Sequence, residues 1–404
     1  MKKNKIAFIV LCLFCTACKS GKGIVEENIK FADKQFDYAF TCIDKTLASE
    51  NESRTKNLTN PRSIEKDGSL RMVKSTDWCS GFFPGSLWYM YEYTGNKKWE
   101  SKAAACSWLI EQEKWNAGTH DMGFKMYPSF GNAYRLTQDE KYKLVLLQSA
   151  KTLITRFNPK VGAIRSWDHN PGKWQYPVII DNMLNLELLF RATQISGDSI
   201  YYRIAVSHAN KTLNNHFRFD YSSYHVVNYD TITGSVISKE THQGKADESA
   251  WARGQAWGLY GFTMAYRFTK DPAYLSQAEH IAHFIFTHPN LPTDLIPYWD
   301  FNDPAIPQSP RDVSAACVIA SGLYELAGYS PKAKTYKKLA DKIMSHLSKY
   351  YKAKVGTYQG FLLLHSTGNY PGNDEIDVPI SYADYYYLEA LLRKDKVEKT
   401  RKAL

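Results

Sequence analysis

The chain has 404 residues, 44% of them hydrophobic and 23% charged, with 51 Lys and Arg against 41 Asp and Glu and a net charge of +10. No Pro/Gly/Ser linker or low-complexity run divides it, which excludes a string of tethered modules, and no stretch reaches the ~20 consecutive apolar residues of a membrane span. Aromatic content of 14%, with 28 Tyr and 10 Trp, exceeds what a helical core needs, and the surplus positive charge suits an anionic partner other than nucleic acid.

In chain order, Lys2, Lys3 and Lys5 precede the apolar run 6–14, and Cys15-Thr16-Ala17-Cys18 follows. This pattern predicts a lipoprotein-type signal over 1–17, with Cys18 lipidated, a tether over 18–26 and one catalytic domain over 27–404. The expected location is the periplasm, held at a membrane by that lipid alone. Loss of 1–17 would remove three Lys and no acid, leaving 48 basic against 41 acidic residues, near +7. Of the remaining cysteines, Cys42, Cys79, Cys106 and Cys317 show neither CxxC pairing nor metal spacing, so they read as small buried residues with at most one disulfide.

A turn-plus-helix signature then repeats. Thr94-Gly95-Asn96, Thr137-Gln138-Asp139, Ser196-Gly197-Asp198, Thr269-Lys270-Asp271-Pro272 and Ser330-Pro331 are spaced by 43, 59, 73 and 61 residues, the length of a helical hairpin with a variable loop. Asn or Asp in these turns can cap the next helix, and Pro suits a first helical turn. Amphipathic helices with a charged face follow the turns, over 141–157, 200–217, 273–286 and 332–350. Helices rich in Gly, Ala and aromatics precede them, over 81–93, 181–194, 249–268 and 313–328. With 27–47 at the front and 381–393 at the end, six outer and six inner helices result. That composition predicts an all-α, single-domain (α/α)6 barrel of six helical hairpins, with a short β-hairpin inserted around 223–230. Long connections from outer to inner helices would ring one funnel with functional residues.

The chemistry gathers at those inner-helix starts. Within 242–257, one imidazole, two carboxylates, a guanidinium, two amides and two indoles occur. Indoles stack on pyranose faces, and a guanidinium matches a carboxylate with two hydrogen bonds. Asp121 and Asp181, 60 residues apart, should lie at one height on neighbouring inner helices, where burial raises an acid's pKa and readies it for proton transfer; helix capping is the plainer alternative for each. His225 lies in the inserted hairpin. Arg253 is the natural carboxylate clamp, or a structural ion-pair partner of Asp247 or Glu248. Trp78, Trp167, Trp251 and Trp257 are stacking platforms or core. His120, His169, His225 and His242 lack HxH or HExxH spacing, so neither metal nor cofactor is expected.

The segments His120-Asp121-Met122-Gly123-Phe124, Ile180-Asp181-Asn182-Met183, Ser223-Tyr224-His225 and 242–257 resemble unsaturated glucuronyl hydrolases, glycoside hydrolase family 88, a similarity running from about Trp78 to the C-terminal helix. The resemblance implies a metal-free (α/α)6 barrel that hydrates the C4=C5 vinyl ether of a 4,5-unsaturated uronic acid at the non-reducing end of lyase-made, glycosaminoglycan-type oligosaccharides. Carried over, Asp181 is the acid, Asp121 the second carboxylate that orients the sugar or assists the acid, His225, Gln243 and Arg253 contact the unsaturated sugar with Arg253 nearest its carboxylate, and Trp78 and Trp167 are aromatic walls, Trp167 towards the leaving sugar; His120, Trp251 and Trp257 are expected to line the substrate beside them. Some members carry Ser and Lys in a C-terminal loop for a sulfated leaving sugar. Here that loop, 365–371, has no Lys, which leaves heparin-derived, unsulfated and other disaccharides open. Unsaturated rhamnogalacturonyl hydrolysis and glycan binding without turnover are the alternatives.

Overall fold

The structure, a computed structural model, describes residues 21–49 and 57–403; the expected signal segment and Cys18 lie outside them. In chain order the helices are α1 (Gly21–Ser49), α2 (Phe82–Thr94), α3 (Lys97–Trp108), α4 (Met122–Met126), α5 (Asn132–Thr137), α6 (Glu140–Ile154), α7 (Asn182–Ser196), α8 (Ser199–Asn215), α9 (Ala252–Thr269), α10 (Pro272–Thr287), α11 (Val313–Leu326), α12 (Ala333–His346) and α13 (Ser381–Ala403). The repeating turns cap them as their residue types dictate. Asn96, Asp139, Asp198 and Asp271 hold extended backbone and accept the N–H two residues on at 2.9–3.0 Å. Each bond satisfies a donor that a helix start leaves orphaned.

Inner elements form a closed ring: α2 packs on the α4–α5 segment, α4 on α7, α7 on α9, α9 on α11, α11 on α13, and α13 back on α2. Outer helices α1, α3, α6, α8, α10 and α12 pack around that ring. The expected (α/α)6 barrel is therefore the fold, and every inner helix starts at one end of it.

Four local differences bear on the site. The second inner element is broken by a π-helical turn, Tyr127–Gly131, where Pro128 lacks the N–H that an α-turn needs. The fourth inner helix starts at Ala252 rather than at 249, because Trp251 is bridged to Asp300. α1 begins at Gly21, inside the stretch expected as a tether. The inserted hairpin, β6 (Val226–Tyr229) with β7 (Val236–Glu240), gains a third antiparallel strand, β5 (Pro177–Ile179), after the two-stranded pairs β1 (Leu58–Ile64)–β2 (Leu70–Lys74) and β3 (Phe157–Asn158)–β4 (Ala163–Ile164). β5 delivers the chain directly to Asp181. Cys42, Cys79, Cys106 and Cys317 are all free and buried, so the possible disulfide does not form among them.

Gly123 sets how closely α4 approaches α7. A Cβ there would lie 2.3 Å from Asn185 Cα, and Asn185 Oδ1 accepts the Phe124 N–H at 2.8 Å across the same contact. Gly123→Ala must push the two helix starts apart. We expect a loss of about 1–3 kcal/mol in denaturant unfolding and a fall in kcat larger than the change in KM, because the helix starts carry Asp121 and Asp181.

The barrel axis is filled. Phe124 packs on Trp257 at 5.2 Å between centroids, Trp257 on Tyr386 at 5.6 Å, and Phe82 on Phe124 at 5.6 Å. Beyond these rings, at the opposite end, Arg267 pairs with Glu187 and Glu325 at 2.8 Å each, and Arg393 with Glu325 at 2.9 Å. Tyr89 and Tyr260 donate to Glu389 at 2.9 and 3.0 Å.

Candidate active site

Asp181 ends the connection from β5 and Asp121 the turn before α4, and neither side chain caps its helix. The capping alternative therefore fails for both, and their carboxyls are turned to other work. Asp121 Oδ2 accepts the Thr119 hydroxyl at 2.8 Å, and Oδ1 lies 3.2 Å from His120 Nε2. Asp181 is 7% exposed. Burial pushes its pKa up to about 7, against the pull of Arg253 and with a push from the Asp121 charge. Such a group can give a proton and take one back near neutrality.

His225 faces Asp181, with Nε2 3.6 Å from Oδ2. Its other nitrogen, Nδ1, accepts two backbone N–H groups, from His242 and Gln243, at 3.0 Å each. An imidazole nitrogen with two donors pointed at it carries no proton, so the hydrogen sits on Nε2. Burial holds the His225 pKa well below the usual range, which keeps the ring neutral, and burial lowers that of His120 as well.

Arg253 lies behind this pair, 1% exposed. It does not pair with Asp247 or Glu248. Asp247 instead accepts Thr241 N–H at 2.8 Å, and Glu248 pairs with Arg218 at 3.1 Å. The Arg253 partner is Asp312 at the start of α11, at 2.6 Å, and the guanidinium also donates to the Thr367 carbonyl at 2.6 Å and to that of Gly368. Gln243 Nε2 reaches the same Gly368 carbonyl at 3.3 Å. The clamp thus holds the 365–371 loop over the funnel while the Asp181 charge still feels it.

The indoles divide. Trp251 packs on His225 at 4.7 Å and under Arg253 at 4.6 Å. Trp257 is fully buried in the axial stack and forms the floor. Trp78 is half-buried against Phe124 and Tyr382. Trp167 forms the outer rim, 5.7 Å from His225 and stacked on exposed His169 at 4.9 Å. The barrel therefore gathers the anticipated catalytic and substrate-binding residues at one end. Sequence reasoning gave no role to Thr119, and it placed Asp300 and Asp312 at the start of the fifth inner helix without a partner for either. Tyr382, at the start of α13, was visible as an aromatic at an inner-helix start.

Asp181 Oδ2, His225 Nε2, both nitrogens of His120, Trp257 Nε1 and Tyr382 Oη are buried without a hydrogen-bond partner among the described residues. Buried polar atoms are ordinarily paired. Orphaned groups gathered beside a raised-pKa carboxyl are the mark of a site built to receive a polar ligand.

A helical barrel with a buried carboxyl of raised pKa, a neutral imidazole beside it and aromatic walls fits a sugar-processing hydrolase. Residues 47–396 match Glycosyl Hydrolase Family 88, and the chain belongs to that family of glycoside hydrolases. It is 49% identical to an unsaturated glucuronyl hydrolase of Formosa agariphila, over 98% of this chain and 99% of that protein. It is 34% identical to an unsaturated chondroitin disaccharide hydrolase of Streptococcus pyogenes, over 82% and 85%. A crystal structure of an unsaturated glucuronyl hydrolase specific for heparin superposes with a TM-score of 0.88 at 47% identity, covering 94% of this chain and 98% of that one.

Proposed function

We propose that this chain hydrates the C4=C5 vinyl ether of a 4,5-unsaturated uronic acid at the non-reducing end of lyase-made glycosaminoglycan oligosaccharides, with Asp181 as the acid. The observation that carries this reading is the buried Asp181 carboxyl, with its pKa about 7, facing the neutral His225 donor. Asp181 protonates C4, and the cation spread over C5 and the ring oxygen takes a water at C5. The carboxylate left behind removes that water's proton, so one group serves as acid and then base. The C5 hemiketal opens to a ketone. C1, now a hemiacetal carbon, expels the next sugar as a free hydroxyl and becomes an aldehyde. His120 and Asp121 hold the sugar hydroxyls, and Trp78, Trp251 and Trp167 supply faces for the rings. The charge of Arg253 favours the substrate carboxylate. Because no direct displacement occurs at C1, the carboxylate-spacing rule for retaining and inverting glycosidases does not govern this site.

Heparin-derived disaccharides are the favoured substrates. The support is the Lys-free 365–371 loop and the high similarity to a heparin-specific structure. A panel of lyase-made disaccharides, read by loss of the ultraviolet absorbance of the conjugated C4=C5 bond, tests this. Heparin-derived substrates should react fastest, then chondroitin-derived, with pectin-derived last; equal cleavage of saturated uronides would sink the mechanism. The lipidated Cys18, the signal over 1–17 and a periplasmic membrane location belong to the same proposal. Radiolabelled palmitate should enter the full chain and not Cys18→Ser.

A further inference from the structure

His225 is locked by a turn that does not itself touch Asp181. Residues 241–245 point two successive amides at Nδ1, and the turn stays closed through three side chains. Thr241 Oγ1 accepts the Gly244 N–H at 2.8 Å, Asp247 Oδ1 accepts the Thr241 N–H at 2.8 Å, and Asp300 Oδ2 accepts the Lys245 N–H at 2.9 Å. Asp300 does more than close the turn. The same oxygen accepts the Ser249 hydroxyl at 2.7 Å, its other oxygen accepts the Asn302 N–H at 2.9 Å, and its backbone is bridged to Trp251, which packs on His225. The side chain is fully buried. A Cβ on Gly244 would lie 2.6 Å from Thr241 Oγ1 and 3.3 Å from Asp300 Oδ2, so the turn is already at contact distance.

We propose that Asp300 is a positioning residue for the hydration reaction: by clamping the 241–245 turn it fixes His225 as the Nε2–H tautomer and thereby dictates which oxygen of Asp181 carries the catalytic proton. Nε2 lies 3.6 Å from Oδ2 of Asp181, just outside hydrogen-bond distance, and neither atom has a hydrogen-bond partner among the described residues, so a hydrogen on Nε2 acts on the Oδ2 side of the carboxyl. An oxygen facing a donor cannot also hold a hydrogen along that line, so the acidic proton goes to Oδ1. Without the two amides, Nδ1 competes for the ring hydrogen, Nε2 becomes an acceptor, and it draws the Asp181 proton to Oδ2 and holds it there. Asp300 does this without contacting substrate. The proposal rests on Asp181 being the acid.

The test is Asp300→Asn, which keeps size and shape but sets an amide donor against either the Lys245 or the Asn302 N–H. We expect kcat to fall by about 10²-fold, the scale of misplacing a reacting group by about 1 Å, with KM changed much less. Nitrogen-15 spectra of histidine-labelled full chain, with the His225 signals identified by their loss in His225→Gln, should show one neutral Nε2–H tautomer in the wild type and a mixture in Asp300→Asn. Wild-type kcat in folded Asp300→Asn, or a lowered kcat with the His225 tautomer unchanged, overturns the proposal. If Asp300→Asn does not fold, Thr241→Ala opens the same turn and is judged by the same two readouts. The spectra need no substrate, so failure of the clamp is distinguishable from failure of the proposed reaction.

Discussion

Asp181→Asn should lower turnover of unsaturated disaccharides by at least the ~10²–10⁴-fold that one positioned acid–base group contributes, while circular dichroism stays that of the wild type. The amide keeps the shape but has no proton to give to C4. The wild-type rate should fall as pH rises through about 7, because the acid must be protonated when substrate binds and burial places its pKa there. Stability follows with a defined sign. The folded-state pKa is raised above the ordinary 3.8, so Asp181 favours the folded chain below that value and loses this contribution as pH climbs to about 7. A shift of about three units corresponds to an order of a few kcal/mol. Asp181→Asn should therefore melt above the wild type at alkaline pH and show no such advantage below pH ~4. Retained turnover in the Asn variant, or a rate indifferent to pH across neutrality, would remove Asp181 from its role.

Asp312→Ala should be among the most destabilising single changes at the site. It leaves the buried Arg253 guanidinium with only the Thr367 and Gly368 carbonyls as hydrogen-bond partners, and breaking one side of a buried ion pair costs about 3–5 kcal/mol. Asp312 also caps α11 through the Ser314 N–H at 3.1 Å, a bond worth about 1 kcal/mol. Denaturant unfolding measures the total, and increased protease cleavage within 365–371 should report the loosened loop. Replacing both partners, Arg253→Met with Asp312→Leu, should recover much of the stability and none of the activity, because hydrophobic pairs can substitute for buried charges in packing alone. A loss below about 1 kcal/mol for Asp312→Ala would show that the pair does not organise the funnel.

Much of this architecture was legible because it rests on short-range chemistry. Asn96, Asp139, Asp198 and Asp271 cap within two residues, and the spacing between them fixes hairpin length. Small, uncharged inner helices announce their burial by composition. β5 was not legible, because Pro177-Val178-Ile179 becomes a strand only when Asn228, Val227 and Val226 pair with it. The π-turn at Tyr127–Gly131 was signalled only by Pro128, and its form also depends on packing against α2 and α6. At the site, residue types pointed to Asp121, Asp181 and His225, but capping and catalysis predict the same aspartates, and only the direction of each carboxyl separates them. The Arg253 partner was missed for a related reason. Asp247 and Glu248 are the acids near it in sequence, whereas the ring brings Asp312 to it from the neighbouring inner helix. His225 carried no sign of its tautomer, since two amides 17 and 18 residues away decide it.

The aromatic stack along the axis, with the Arg267 and Arg393 ion pairs beyond it, makes the funnel a blind well. A polymer cannot thread through such a molecule. Only a terminus can enter, and the uronate freed from it must leave through the opening that admitted it before another terminus docks. Substrate entry and product exit therefore share one doorway.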